Sequence, residues 1–349
     1  MSFTFIIYNV ALLFGVFFAA ISERIKSTSN HIPIIASFLV VFLFVGLRHY
    51  VGNDYEAYVY LFSVIRNGIT TRLEYGYYLL NKLFSESQDG YKYVMLACSF
   101  ITFFFLFKTF IREKILALGI LFLFAFELIF LMNDQVRQGV AIAVFLFAIQ
   151  YIEQRKFYTY ALILIATGLL FHYSILIMLP LYFMYRKPIP SWIWCIAIVV
   201  GFIFYSRGYF QNILGNLISI IPFYGERFGG SKHVLPIEKL GSGLAILFWV
   251  LMALYVAINQ SKINRPLLVN IYLLGTVFFI VTLDFHIITR VAYYLVYVKI
   301  LVFPIYIKKE TNLALKIAVI AAAILFFEFE VFLELGTHGG YPYTTIFDE

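Results

Sequence analysis

The chain has 349 residues, of which 62% are hydrophobic and only 13% charged, with a mean hydropathy of +0.89. Soluble domains use roughly 45–50% apolar and 25% charged residues, so a water-soluble fold is excluded. The formal net charge of +7 sits in short Lys and Arg clusters between apolar runs, which is how membrane topology is encoded, and not in one patch of the kind that binds nucleic acid.

Residues 3–21 form the first apolar run; its positive charges, Arg24 and Lys26, follow it instead of preceding it, so it reads as a retained span and not as a cleaved leader. Further apolar runs follow near 32–47, 91–110, 115–132, 139–152, 158–171, 173–185, 191–206, 241–259, 266–283, 291–307 and 313–335. About 20 apolar residues cross the hydrocarbon core, and fewer suffice where the bilayer thins or a helix re-enters. The expected fold is therefore all-α: one integral membrane domain over 1–349, a polytopic transmembrane bundle of about twelve spans. The pair at 158–185 is either two short crossings or a hairpin that turns back around His172.

Orientation follows from the short loops. Arg24/Lys26, Arg112/Lys114, Arg155/Lys156, Arg186/Lys187, Lys262/Arg265 and Lys308/Lys309 recur on every second connection, which makes that side cytoplasmic. Both termini then lie outside, together with two long loops, 48–90 and 206–240. Each long loop has apolar residues at helical spacing: Tyr58, Leu61, Phe62 and Ile65, then Leu79, Leu80, Leu83 and Phe84, in the first, and Ile213, Leu214, Leu217, Ile218 and Ile221 in the second. Amphipathic helices lying on the outer membrane surface are expected there.

The residues that carry chemistry gather on that outer side. Arg48, Arg137 and Arg290 stand at outer span ends against the charge bias, so each needs a partner or a ligand. Asp54, Asp134 and Asp284 are the nearest partners for structural ion pairs. Three arginines from distant loops equally suit a diphosphate, because a guanidinium fork binds phosphate oxygens bidentately and stays charged at low dielectric. In RHYVGNDYEAY (48–58), Tyr50, Tyr55 and Tyr58 offer rings and hydroxyls suited to sugars, and Asp54 suits either a base or an N-cap. His172 and Glu74 are further candidates for acid or base work, and Glu127 and Lys299 inside apolar runs are suited to pair with one another. Cys98 and Cys195, both in apolar stretches, argue against a disulfide framework or a thiolate metal site. Walker, GxGxxG and HExxH signatures are absent, as are closely spaced aspartate pairs, so metal-independent chemistry without a cofactor is expected.

GLRHYVGNDYEAY (46–58), EYGYYLLNKLF (74–84), RQGVAIAVFLFAIQYI (137–152), LLFHYSILIMLPLY (169–182) and a terminal YPY (341–343) stand in an order and spacing that resemble the EpsG-like branch of Wzy-type polysaccharide polymerases. The resemblance implies a bacterial enzyme of the cytoplasmic membrane that joins O-antigen, capsule or exopolysaccharide repeat units on undecaprenyl diphosphate at the outer face. It implies donor and acceptor contacts for Arg48, Arg137, Arg290, Tyr55, Tyr58 and Gln138, and a base among Asp54, Glu74 and His172. A flippase and a chain-length regulator of the same pathway are implied partners. Competing readings are a flippase or other transporter of lipid-linked sugars, and an O-antigen ligase or membrane acyltransferase.

Overall fold

The computed structural model describes residues 2–25, 31–69, 71, 73–209, 244–283, 285–334 and 339–348. Most of the loop at 206–240, with its apolar stripe from Ile213 to Ile221, lies outside the described residues, as does Asp284. Each of the twelve apolar runs carries a helix, and the described residues contain no strand beyond an isolated bridge between Arg48 and Thr345.

The chain forms two compact units, one of Met1–Tyr182 with Phe303–Glu349 and one of Phe183–Val302, where the sequence suggests one domain. The first unit is built from α1 (Ser2–Arg24), α2 (Ile32–Gly46), α3 (Tyr55–Arg66), α4 (Tyr75–Leu83), α5 (Gly90–Arg112), α6 (Leu116–Ala125), α7 (Leu128–Asp134), α8 (Val136–Glu153) and α9 (Phe157–Leu170), with the C-terminal part of the chain. Among the described residues four helices are long and apolar enough to cross a membrane alone: Phe3–Arg24, Gly90–Arg112, Val136–Glu153 and Ile288–Lys309. The pair α6 and α7, bent by 65°, is apolar and long enough together to form a broken span or a re-entrant loop. The bend sits at Glu127, whose φ of 65° puts an ordinary residue in the left-handed region and so ends one helix and starts the next.

Close approach of backbones explains how a chain this apolar packs specifically. On α1, Gly15 leaves its carbonyl open to the Ser37 hydroxyl of α2, which donates to it at 2.7 Å. In hydrocarbon no water competes for such a bond, and small residues let helices come this near. α5 packs on both α2 and α8, and α8 in turn packs on α9, so α8 is the central column of the unit, buried along most of its length.

Of the two surface helices, α3 follows its expected stripe, whereas α4 departs from it: Leu79 and Leu83 are exposed and Leu80 and Phe84 only half-buried. α3 turns Tyr55, Tyr58, Phe62 and Ile65 inward, and α4 turns Tyr77 and Asn81 inward while Tyr75 stays exposed. Tyr55, Tyr58 and Tyr77 join a buried cluster with Tyr91, Cys98 and Val140.

The run at 158–185 is a hairpin. α9 is followed by a 3-10 helix, Tyr173–Phe183, that packs back along it: the Tyr160 hydroxyl donates to the Met178 carbonyl at 2.7 Å, and the Tyr182 ring lies 5.0 Å from that of Phe157. At 14 and 11 residues the two arms are each about 21 to 22 Å long, short of a full hydrocarbon core. Chain entry and exit therefore lie together, beside Arg155 and Lys156.

In the second unit the helices Ser191–Ser206, Leu244–Ile258, Pro266–Thr282 and His286–Val296 pack together. Lys299 is buried there with its Nζ 3.2 Å from the centre of the Trp249 ring, a cation–π contact that shelters a charge at apolar depth.

The hairpin predicts that single cysteines at 155 and 187 label from the same, cytoplasmic side in a background in which Cys98 and Cys195 are replaced. Labelling of position 187 from outside, with 155 protected, would make 158–185 one crossing.

Candidate functional site

The end of the first unit formed by the close of α2, the loop after it and the turn after α7 is organised by Arg48. It follows α2 directly, and its side chain is only 1% exposed. Nη1 donates to the Val45 carbonyl at 2.5 Å, Nε to Val51 at 3.3 Å and Nη2 to Asn133 at 3.1 Å. Burial pushes the pKa of this guanidinium down, and the surrounding tyrosines, Tyr55 and Tyr343 foremost, counter it. Arg48 thus ties the end of α2, the following loop and the turn after α7 together through main-chain oxygens. It presents no open fork to a ligand, which departs from the phosphate role that its sequence position suggests.

The same loop is clasped from two more sides. Asp134 accepts from the Asn53 main-chain N–H at 2.6 Å, so this carboxylate holds the loop and not Arg137. Gly52 has φ of +108°, and a Cβ there would fall 2.6 Å from the Asn133 carbonyl oxygen, which is why only glycine fits. From the C-terminal segment, Gly339 accepts from Gly52 N–H, Thr344 accepts from His49 N–H and Ile346 donates to the Leu47 carbonyl. Tyr343 stacks on Phe44 at 5.0 Å and its hydroxyl donates to the Phe44 carbonyl at 2.5 Å.

Arg137 stands differently. It occupies the first turn of α8, and its side chain is 25% exposed. Nη1 donates to Glu74 Oε2 at 2.5 Å, and the guanidinium lies 5.4 Å above the Tyr77 ring. Glu74 is the residue before α4, placed there by the sharp entry of the chain into that helix. Its other oxygen, Oε1, is 3.4 Å from His172 Nδ1 and accepts from the Tyr173 N–H at 3.4 Å. His172, at the tip of the α9 hairpin, is at ion-pair distance without the alignment of a hydrogen bond. Gly76 lets α4 come down onto that tip, because a Cβ there would meet the Leu170 carbonyl oxygen at 2.7 Å.

Glu74, Arg137 and His172 therefore meet, although they are far apart in sequence. Burial opposes ionisation of the Glu74 carboxyl, but the His172 contact and the Arg137 charge outweigh it and hold the pKa at about 2. The Tyr58 hydroxyl faces Arg137, and burial raises its pKa against that charge. Gln138 is buried on the next position of α8. The remaining candidates are placed otherwise. Asp54 precedes α3 as its N-terminal flank, and its side chain makes no cap hydrogen bond. Tyr55 and Tyr58 have their rings in the core, so the flat faces open to a ligand in this loop are those of Tyr50 and Tyr60 instead. Arg290 belongs to the second unit.

A helical chain with several strongly apolar candidate spans defines a multi-pass membrane protein. The EpsG family model matches residues 31–345, and the chain belongs to the EpsG family. That membership points to polysaccharide-polymerase function with a lipid-linked sugar substrate. No curated protein and no solved structure matches the chain.

Two outcomes follow. Gly52→Ala should cost about 1–3 kcal/mol, the usual magnitude for a side chain forced into a strained backbone region, and thermal melting of the solubilised protein reads it. An unchanged melting temperature would mean that the loop is not clasped. For Glu74, the folded pKa of about 2 lies below the ordinary 4.5, so its ionised form stabilises the fold above about pH 4.5 and that contribution fades as pH falls toward 2. Wild type should melt above Glu74→Gln at neutral pH and lose more than half of that margin by about pH 3; a margin independent of pH would remove the ion pair as its cause.

Proposed function

We propose that this protein polymerises lipid-linked oligosaccharide repeat units at the outer face of the bacterial cytoplasmic membrane, moving a growing glycan from undecaprenyl diphosphate to an acceptor unit. Arg137 holds the donor diphosphate in this reading, and Glu74 and His172 serve the acceptor hydroxyl. The observation that carries it is the partly open Arg137 beside a carboxylate and a histidine, at the outer end of a spanning helix.

In the transfer, the bond from the anomeric carbon to the diphosphate oxygen breaks and its electron pair leaves with the diphosphate. The acceptor oxygen bonds to the same carbon, and its proton passes to His172. A guanidinium near the leaving oxygens offsets charge that grows in the transition state. Glu74 orients the imidazole, so it is a positioning residue. Arg48 acts only through the loop that it holds, and Asp54, though in the same loop, is set aside as the base. About twelve membrane segments, the 158–185 hairpin among them, and an undecaprenyl carrier are part of this reading, as is a flippase that delivers the units; no metal or cofactor enters it.

The bend at Glu127 favours a second reading, transport of the lipid-linked sugar, because broken spans are common in transporters.

Arg137→Lys separates these. It keeps a charge for Glu74 and so should leave membrane abundance normal, but it loses the planar fork. Loss of one such contact costs about 3 kcal/mol, or roughly a hundredfold in rate, so cells should carry mostly single repeat units on the outer leaflet. Arg137→Ala should do the same with lower abundance, since it leaves Glu74 buried and unpaired. Polymer of ordinary length from Arg137→Lys would remove this residue from the site, and units stranded on the cytoplasmic leaflet would establish transport.

A further inference from the structure

Around Glu74 the donors outnumber the acceptors. Its two oxygens face Arg137 Nη1, His172 Nδ1 and the Tyr173 N–H. Two nitrogens of this group are nevertheless buried without a hydrogen-bond partner, Arg137 Nε and His172 Nδ1. A buried donor left unmade costs about 1–3 kcal/mol, and native structures seldom keep two side by side without reason. One carboxylate is shared between a guanidinium and an imidazole and satisfies neither completely.

An incoming anion would supply the missing acceptor. A diphosphate on Arg137 offers oxygens for Nε and Nη1 together, which the single oxygen of Glu74 now engaged there does not. Glu74 need not travel far when displaced, because Oε1 already lies 3.4 Å from His172 Nδ1. A small rotation would turn that approach into an aligned hydrogen bond. His172 is 22% exposed, so its far nitrogen remains reachable from outside while Glu74 holds the near one.

We propose that Glu74 is an exchangeable placeholder: the donor diphosphate displaces it from Arg137, and the released carboxylate closes onto His172, which thereby becomes the stronger base only once the donor is bound. This rests on the reading of Arg137 as the diphosphate site and adds the order of events at it. No covalent bond changes in the exchange. The charged and titratable groups around Glu74 are Arg137 of α8, His172 of the hairpin, Tyr58 of α3, Tyr77 of α4 and Cys98 of α5. A carboxylate no longer shared with arginine favours the protonated form of an imidazole that it meets.

The probe is farnesyl diphosphate, titrated calorimetrically into the full-length protein in detergent at about pH 7, in buffers of different ionisation enthalpy, so that proton exchange is read beside affinity. Wild type should take up protons on binding, whereas a diphosphate meeting a guanidinium would by itself release them. Glu74→Gln should bind about tenfold tighter, because no charged side chain has to be displaced, and should show no uptake. Arg137→Ala should lose binding. Equal or weaker binding by Glu74→Gln, or proton uptake that persists in it, overturns the exchange while leaving Arg137 as the site. Unchanged binding by Arg137→Ala overturns the site itself. Should Glu74→Gln fail to survive extraction, wild type decides alone: absence of proton uptake defeats the exchange and presence supports it.

Discussion

The end of the first unit that carries Glu74 and Arg137 depends on one buried cation. Arg48 carries a full charge at 1% exposure, and the groups that it meets are the carbonyls of Val45, Val51 and Asn133. Burying a guanidinium is expensive unless its donors are occupied, so those carbonyls are held in place as much as they hold the arginine. Val45 belongs to α2, Val51 to the loop and Asn133 to the end of α7, and no helical hydrogen bond links the three. The carbonyls at a helix C-terminus also carry partial negative charge, which makes the end of α2 a favourable seat for a cation.

That constraint propagates to Arg137. α7 and α8 are separated by Gln135 alone, so fixing Asn133 fixes where α8 begins and how its first turn is aimed. The bend at Glu127 lets α7 approach at an angle that a straight span would not allow. From the other direction, Gly76 lets α4 settle on the hairpin tip and brings Glu74 to His172. Hence the Glu74, Arg137 and His172 cluster rests on rigid elements, with two glycines and one left-handed residue at the joints.

Much of this architecture is legible in the sequence, and what is missed has a common cause. Apolar runs give the helices, and the paired basic residues flanking 158–185 already call for the chain to return to the side it left, as the hairpin does. Helical spacing places Tyr58, Phe62 and Ile65 on one stripe, and that pattern alone says that the Tyr58 ring packs inward instead of stacking on a sugar. Pairings across long loops are different. Asp134 lies three residues from Arg137 and looks like its partner, yet it accepts from Asn53 while Glu74, 63 positions away, takes the arginine. No periodicity encodes such a choice; it arises when α4 and α8 come to rest on the same side of α9. Arg48 was legible as a misplaced charge, but three converging carbonyls belong to no residue type and leave no trace in a sequence.

The two arginines show how burial divides labour between like side chains. Arg48 bonds to main-chain oxygens, which cannot rotate away without unwinding a helix or opening a loop, so its contacts are permanent. Arg137 bonds to a side-chain carboxylate with its own torsions, and its neighbour His172 offers that carboxylate a second berth. A cation bound to backbone can only hold; a cation bound to a side chain can trade. Near the membrane surface, where fewer waters compete for such groups, a traded partner must find another partner nearby, and the histidine beside Glu74 meets that requirement.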